Sequence, residues 1–336
     1  MGMRRSDLRR GQAPAVPRKQ ALSMATPPSN PPVARAALPI LVLTLVWGCN
    51  WPIMKMGVTE LAPLTFRELT LPFAALGLLA ASRFSGDSVR VPRALWPRLC
   101  VLALFNIAGW NALVLFGVQQ MPAGRSAILA YTMPIWATMI ATLFLHEPLS
   151  RRKLLGLAFG IAGMAVLIGE HIALVRAAPF GALMILAAAV LWAFGTVLLR
   201  KWMLPIPQNA LTGWMMLLGW VPLAVMAPFF DSQPLASELA SLSHRGWFAI
   251  AYNIFLAGTL AHWAWFTLAR TLPVAISSLS SLPVPVVGVI SGIVLLGERP
   301  GVQEWIALAL VVAALFTVLF QPSERHVTVA PLAPDD

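Results

Sequence analysis

The chain has 336 residues, of which 58% are apolar or aromatic and only 11% charged, with a mean hydropathy of +0.76 and a formal net charge of +11. Water-soluble domains carry about 25% charged residues, so this composition excludes an ordinary soluble protein. The 24 Lys and Arg sit mostly in loops and tails, which argues against a nucleic-acid-binding face. Cys49 and Cys100 both lie inside apolar runs and supply neither a disulfide framework nor a metal cluster.

Residues 1–36 are basic and proline-rich, with Arg4, Arg5, Arg9, Arg10, Arg18 and Lys19 followed by Pro27, Pro28, Pro31 and Pro32. Such a stretch buries too little apolar surface to offset its ordering entropy and reads as a disordered tail. The first apolar run, Ala37 to Met54, is too long for the core of a signal peptide and has no obvious cleavage site. From there to Phe320, runs of about 20 apolar residues recur, the length that crosses a bilayer core of about 30 Å. Hydropathy places ten spans, at 37–56, 64–82, 96–119, 124–145, 153–169, 179–199, 209–229, 247–269, 273–296 and 303–320, with a C-terminal tail at 321–336. Prolines punctuate the junctions, at Pro63, Pro97, Pro122, Pro148, Pro179, Pro207, Pro273 and Pro300. The expectation is an all-α polytopic membrane protein.

Cytoplasmic loops carry excess Lys and Arg. With the N-terminus inside, one face holds eighteen basic residues and the other six, namely Lys55, Arg67, Arg125, Arg176, Arg245 and Arg299. That bias puts both termini in the cytoplasm of a multi-pass plasma (bacterial inner) membrane protein.

Residues 121–168 align without gaps on 272–319 at a constant offset of 151. Identical pairs include Pro122 with Pro273, Ser126 with Ser277, Pro134 with Pro285 and Glu147 with Glu298, while Trp47 and Trp192 occupy the middles of spans 1 and 6. Each half, 37–170 and 179–320, then holds five spans. An odd number sends the second half through the membrane from the opposite side, giving two inverted five-helix repeats. Transporters built from inverted repeats place the substrate site at the midplane between them. Pro134 and Pro285 fall near the centres of their spans, where proline frees a carbonyl and permits a bend. They are the hinge candidates, although transmembrane helices also carry proline for packing alone.

The stretch Leu45-Val46-Trp47-Gly48-Cys49-Asn50-Trp51-Pro52 lies in span 1, and the span-4 to span-5 stretch ends Phe144-Leu145-His146-Glu147-Pro148-Leu149, an ending repeated by Leu295-Leu296-Gly297-Glu298-Arg299-Pro300. With the ten spans in two halves, this resembles the drug/metabolite transporter superfamily, and within it the EamA-type permeases, over residues 37–320. The resemblance implies export or exchange of small metabolites, often amino acids, through a central cavity lined from both halves. It does not identify a substrate.

Trp47, Asn50, Trp51 and Met54 share one face of helix 1 at helical spacing. Trp47 and Asn50 are candidate substrate-binding residues; Trp51 reads equally as an interfacial anchor and Asn50 as a helix-packing residue. Trp110 and Asn111 lie near the middle of span 3, with Gln119 and Gln120 at its outer end, and the offset maps Asn111 onto His262 of span 8. An ionisable residue deep in a span is a functional candidate, with a neutral, carbonyl-bonded His262 as the structural alternative. Tyr131 precedes Pro134 and is a candidate wall residue, as is Trp192. Ser277, Ser278, Ser280 and Ser281 read as partners of carbonyls freed by a bend. Arg67 and Glu68, near Lys55 and Glu60, form an outer gate, attract a carboxylate, or make a solvated boundary cluster. Glu147 and Glu298 read as helix caps or as partners of Arg151 and Arg299. Gly156 and Gly160 form a GxxxG that permits close packing or a homodimer.

No nucleotide-binding loop is present, and His146-Glu147 does not complete H-E-x-x-H because Ser150 stands in the last position. The chain therefore reads as no enzyme, with no cofactor and no metal. The expected activity is secondary transport, exporting amino-acid-like metabolites by alternating access. The alternatives are an uptake permease of the same fold and a non-transporting membrane sensor or assembly protein. The expected partners are a small-molecule substrate and membrane lipid, and no nucleic acid.

Overall fold

The computed structural model describes residues 32–146, 150–169, 179–231, 235–265 and 283–319. Ser277, Ser278, Ser280, Ser281, Pro273 and Glu147 lie outside them, as do residues 1–31 and 320–336. Among the described residues every regular element is helical. Six runs are long and apolar enough to cross a membrane: 38–60, 63–84, 93–120, 123–145, 180–202 and 208–230. The other expected spans correspond to shorter apolar helices, 154–166, 284–296 and 302–317, and to a helical run from His244 to Trp265.

We label the helices α1 (Pro32–Glu60), α2 (Pro63–Glu68), α3 (Leu71–Phe84), α4 (Trp96–Leu102), α5 (Trp110–Gln120), α6 (Ala123–Ala130), α7 (Met133–Leu145) and α8 (Arg151–Gly169). The second half follows with α9 (Pro179–Trp202), α10 (Gln208–Phe230), α11 (Leu235–Ser241), α12 (His244–Ala251), α13 (Val284–Leu296) and α14 (Val302–Leu319). A π-helix joins α4 to α5 (Ala103–Gly109), and another follows α12 (Tyr252–Leu260).

The offset of 151, sparse in identities, is sharp in structure. Helices α7 and α13 each have 13 residues and begin and end 151 apart. Each carries its proline, Pro134 or Pro285, in the first turn, and each stops at a left-handed residue, His146 (φ 54°) or Gly297 (φ 67°). The two π-helices end at Gly109 and Leu260, again 151 apart, and α8 and α14 start 151 apart.

Helix pairing obeys the same exchange. Helix α1 packs on α13 as α9 packs on α7, and the π-helix 103–109 meets α10 as the π-helix 252–260 meets α3. The pairs α3–α10, α8–α14 and α6–α13 each join one half to the other. Close approach at α1–α13 depends on Gly48, where a Cβ would lie 2.4 Å from Val287 Cγ1 and 2.5 Å from Val287 Cβ.

The hinge prolines correct one expectation. Pro134 is not inside a continuous helix. Span 4 stops at Ala130, turns through Tyr131 and Thr132, and restarts at Met133, with Thr132 Oγ1 donating to the Leu129 carbonyl at 2.6 Å. Proline fits the restart because a first-turn residue needs no helical N–H partner. Pro285 holds the same position in α13. The GxxxG face is used within the chain: Gly160 lies against Ile135 of α7, and Gly163 against Ala307 and Leu310 of α14.

Candidate functional site

Between the halves lies a cavity of about 140 Å³, roughly ten times the volume one water needs. Trp47, Asn50, Trp110, Asn111, Tyr131, Trp192 and His262 all line it. The first five come from the first half and the last two from the second.

The helix 1 stripe faces this space as a unit, Trp47, Asn50, Trp51 and Met54 all contributing. Trp51 is thus no interfacial anchor; it is 4% exposed, inside the bundle. Pro52, inside α1, leaves the Gly48 carbonyl without its helical donor. Ser291 Oγ of α13 donates to that carbonyl at 3.4 Å.

Two aromatic pairs frame the cavity, one per half-exchange. Trp47 meets His262 edge-on with ring centroids 5.3 Å apart, and Trp192 meets Trp110 at 5.0 Å. In each pair the opening helix of one half touches the π-containing segment of the other. A π-turn displaces the ordinary i→i−4 ladder and leaves carbonyls for side chains. The Ala257 carbonyl accepts from Trp47 Nε1 at 3.3 Å and lies 3.0 Å from His262 Nδ1. A carbonyl only accepts, so this contact places the ring proton on Nδ1 and leaves Nε2 an acceptor. Asn111 Nδ2 likewise donates to its own helix, to the Ile107 carbonyl at 2.8 Å. Asn111 and His262, equivalent under the offset of 151, thus make similar local bonds. They share a cavity, but each ring or amide is tied to the preceding turn.

The sequence reading missed Asn253 and assigned Arg67 an uncertain boundary role. The structure removes the solvated-cluster reading: Arg67 is 6% exposed and lines the cavity. Its Nη1 donates to Asn253 Oδ1 and its Nη2 to Met54 Sδ, both at 3.0 Å. Phe66 lies under the guanidinium at 5.3 Å. A stripe was there to be read, since Arg67, Thr70, Leu71 and Ala74 repeat at helical spacing and all line the cavity.

At one end of the cavity charged groups seal helix termini. Glu298 accepts from the Ala123 and Gly124 amides, at 2.6 and 3.0 Å, capping α6 of the other half. It therefore does not serve as a cap for the helix that follows it. Arg125 pairs with Glu304 across the halves. Lys55 Nζ donates to the Val118 and Met121 carbonyls that end α5, and Glu60 accepts from Ser243 N at 2.8 Å.

Comparison with known proteins agrees with this architecture. The chain matches the EamA-like transporter family twice, over residues 34–169 and 179–320. An uncharacterized transporter of Bacillus subtilis is 25% identical over 88% of this chain and 100% of its own length. A probable amino-acid metabolite efflux pump of Salmonella typhimurium is 28% identical over 83% of this chain and 93% of its own. A probable terminal-alkyne amino-acid exporter of Streptantibioticus cattleyicolor is 27% identical over 83% and 91%. A solved crystal structure superposes with a TM-score of 0.60 at 21% identity, covering 84% of this chain and 96% of that one, a likeness of fold. Two matched repeats, apolar helices of membrane-crossing length and relatives named as transporters make this chain a multi-pass membrane transporter of the EamA-like family, within the drug/metabolite superfamily, and not an enzyme.

Proposed function

We propose that the chain exports small amino-acid-like metabolites by alternating access between two inverted five-helix halves, crossing the membrane ten times with both termini in the cytoplasm. The observation that carries this reading is the shared cavity, whose walls come from both halves through equivalent elements. When two halves rock against one another, a site between them is exposed to each side in turn. Trp47, Asn50, Trp110, Asn111, Tyr131, Trp192 and His262 form the substrate-binding wall. Pro134 and Pro285, each in the first turn of its helix, mark the points about which α7 and α13 tilt. The amino-acid class and the outward direction draw on the efflux pump and the exporter to which the chain is similar.

The test is flux. Purified protein in vesicles loaded with amino acids releases at least one of them faster than protein-free vesicles do, and overproduction in cells raises resistance to toxic amino-acid analogues. No flux across a broad amino-acid panel removes this reading and favours a non-transporting role. Uptake down the same gradients, with no resistance, favours a permease working inward.

A further inference from the structure

We infer that Arg67 is the receptor for a carboxylate on the transported molecule, so that the cargo is a monocarboxylate or a zwitterion. This rests on the transport reading above and names the chemical group that the cavity recognises.

A guanidinium carries five N–H donors and stays charged. In Arg67 two of its nitrogens reach only weak, neutral acceptors, an amide oxygen and a thioether sulfur. Nε is buried with no partner, and among the described residues no carboxylate stands within ion-pairing distance of Arg67. Burying an uncompensated cation in an apolar bundle is costly, and a transport site gains from that cost. A carboxylate that enters restores the missing charge and accepts two N–H bonds in the fork geometry that suits it. Asn50 Oδ1, on the facing helix 1 stripe, is also buried without a donor. It supplies the complementary acceptor for an ammonium group. Trp47, Trp110 and Trp192 offer ring faces and edges for an apolar side chain. One buried cation set against neutral acceptors disfavours a dicarboxylate, whose second charge has no counterpart here.

The experiment uses the full chain in vesicles loaded with a mixture of L-amino acids, the amines that lack their carboxyl groups, and the amino-acid carboxamides, with efflux read by mass spectrometry. The expected result is release of free acids with retention of the matching amines and carboxamides. Arg67→Gln lowers release of the acid at least about ten-fold, the loss of a charge-assisted contact, and Arg67→Lys restores part of it. Folding of each variant is checked by its thermal midpoint in detergent. The inference is overturned if amines or carboxamides leave as fast as their parent acids. It is also overturned if Arg67→Gln and Arg67→Lys release all compounds in wild-type proportions, which marks a structural role. In both cases transport itself stands. Absence of any efflux removes the transport reading and the carboxylate receptor with it.

Discussion

At the residue scale, three side chains of the cavity wall, Trp47, Asn111 and His262, are each held by a backbone carbonyl. Trp47 is fixed by the Ala257 carbonyl and by the edge of His262. Trp47→Phe keeps a ring but removes the indole N–H, a loss of about 1 kcal/mol, so flux falls several-fold with expression unchanged. Asn111→Ala and His262→Ala each lower flux by about five- to ten-fold, measured on vesicles with matched protein content; wild-type rates in both would take them out of the site. The helix 1 stripe was legible because four residues at i, i+3, i+4 and i+7 combine rings with an amide. Arg67 was not, because a cation three residues into the span 64–82 fits a solvated boundary cluster as well as a cavity wall. The packing of α2 (Pro63–Glu68) against its neighbours is what buries it, to 6% exposure. Asn253 escaped for a different reason: its amide is one polar atom pair inside a run of apolar residues, and its worth depends on Arg67 beside it.

Among the elements, the repeat carries more information than its few identities suggest. Proline at the second residue and a left-handed stop recur in α7 and α13 although most side chains between them differ. The backbone punctuation is what both copies keep. The break before Pro134 was legible in position but not in kind, since a proline near the middle of an apolar run fits a kink as well as an interruption. The π-helices at 103–109 and 252–260 left no signature at all, because an i→i−5 ladder uses the same apolar residues as an α-helix. Gly48 tests the packing of α1 on α13. Gly48→Ala drives a methyl into Val287, whose β-carbon cannot swing away, and destabilises the protein by about 1–3 kcal/mol. A lowered thermal midpoint in detergent is the readout, and an unchanged midpoint would mean that the helices have room to part.

For the whole molecule, the proposed orientation rests on the excess of basic residues in alternate loops, and two of the six residues counted against it, Lys55 and Arg67, make contacts within the bundle. In a background lacking Cys49 and Cys100, a cysteine replacing exposed Ser88 reacts with an impermeant maleimide only after the cells are opened. One replacing exposed Ser241 reacts in intact cells. The reverse pattern would invert the topology. The contacts of Glu298 with α6, and of Arg125 with Glu304, cross from one half to the other at a single end of the bundle. Glu298→Gln weakens the charge-assisted cap by about 1 kcal/mol, and loosened vesicles then lose trapped solute even without cargo on the far side.

That stitched end bears on how the halves part. The carboxylate that finishes a neighbouring helix also ties the halves together, since parting them there strips two amides of their acceptor. Under the alternating access proposed above, opening at this end waits on that carboxylate letting go of its two amides.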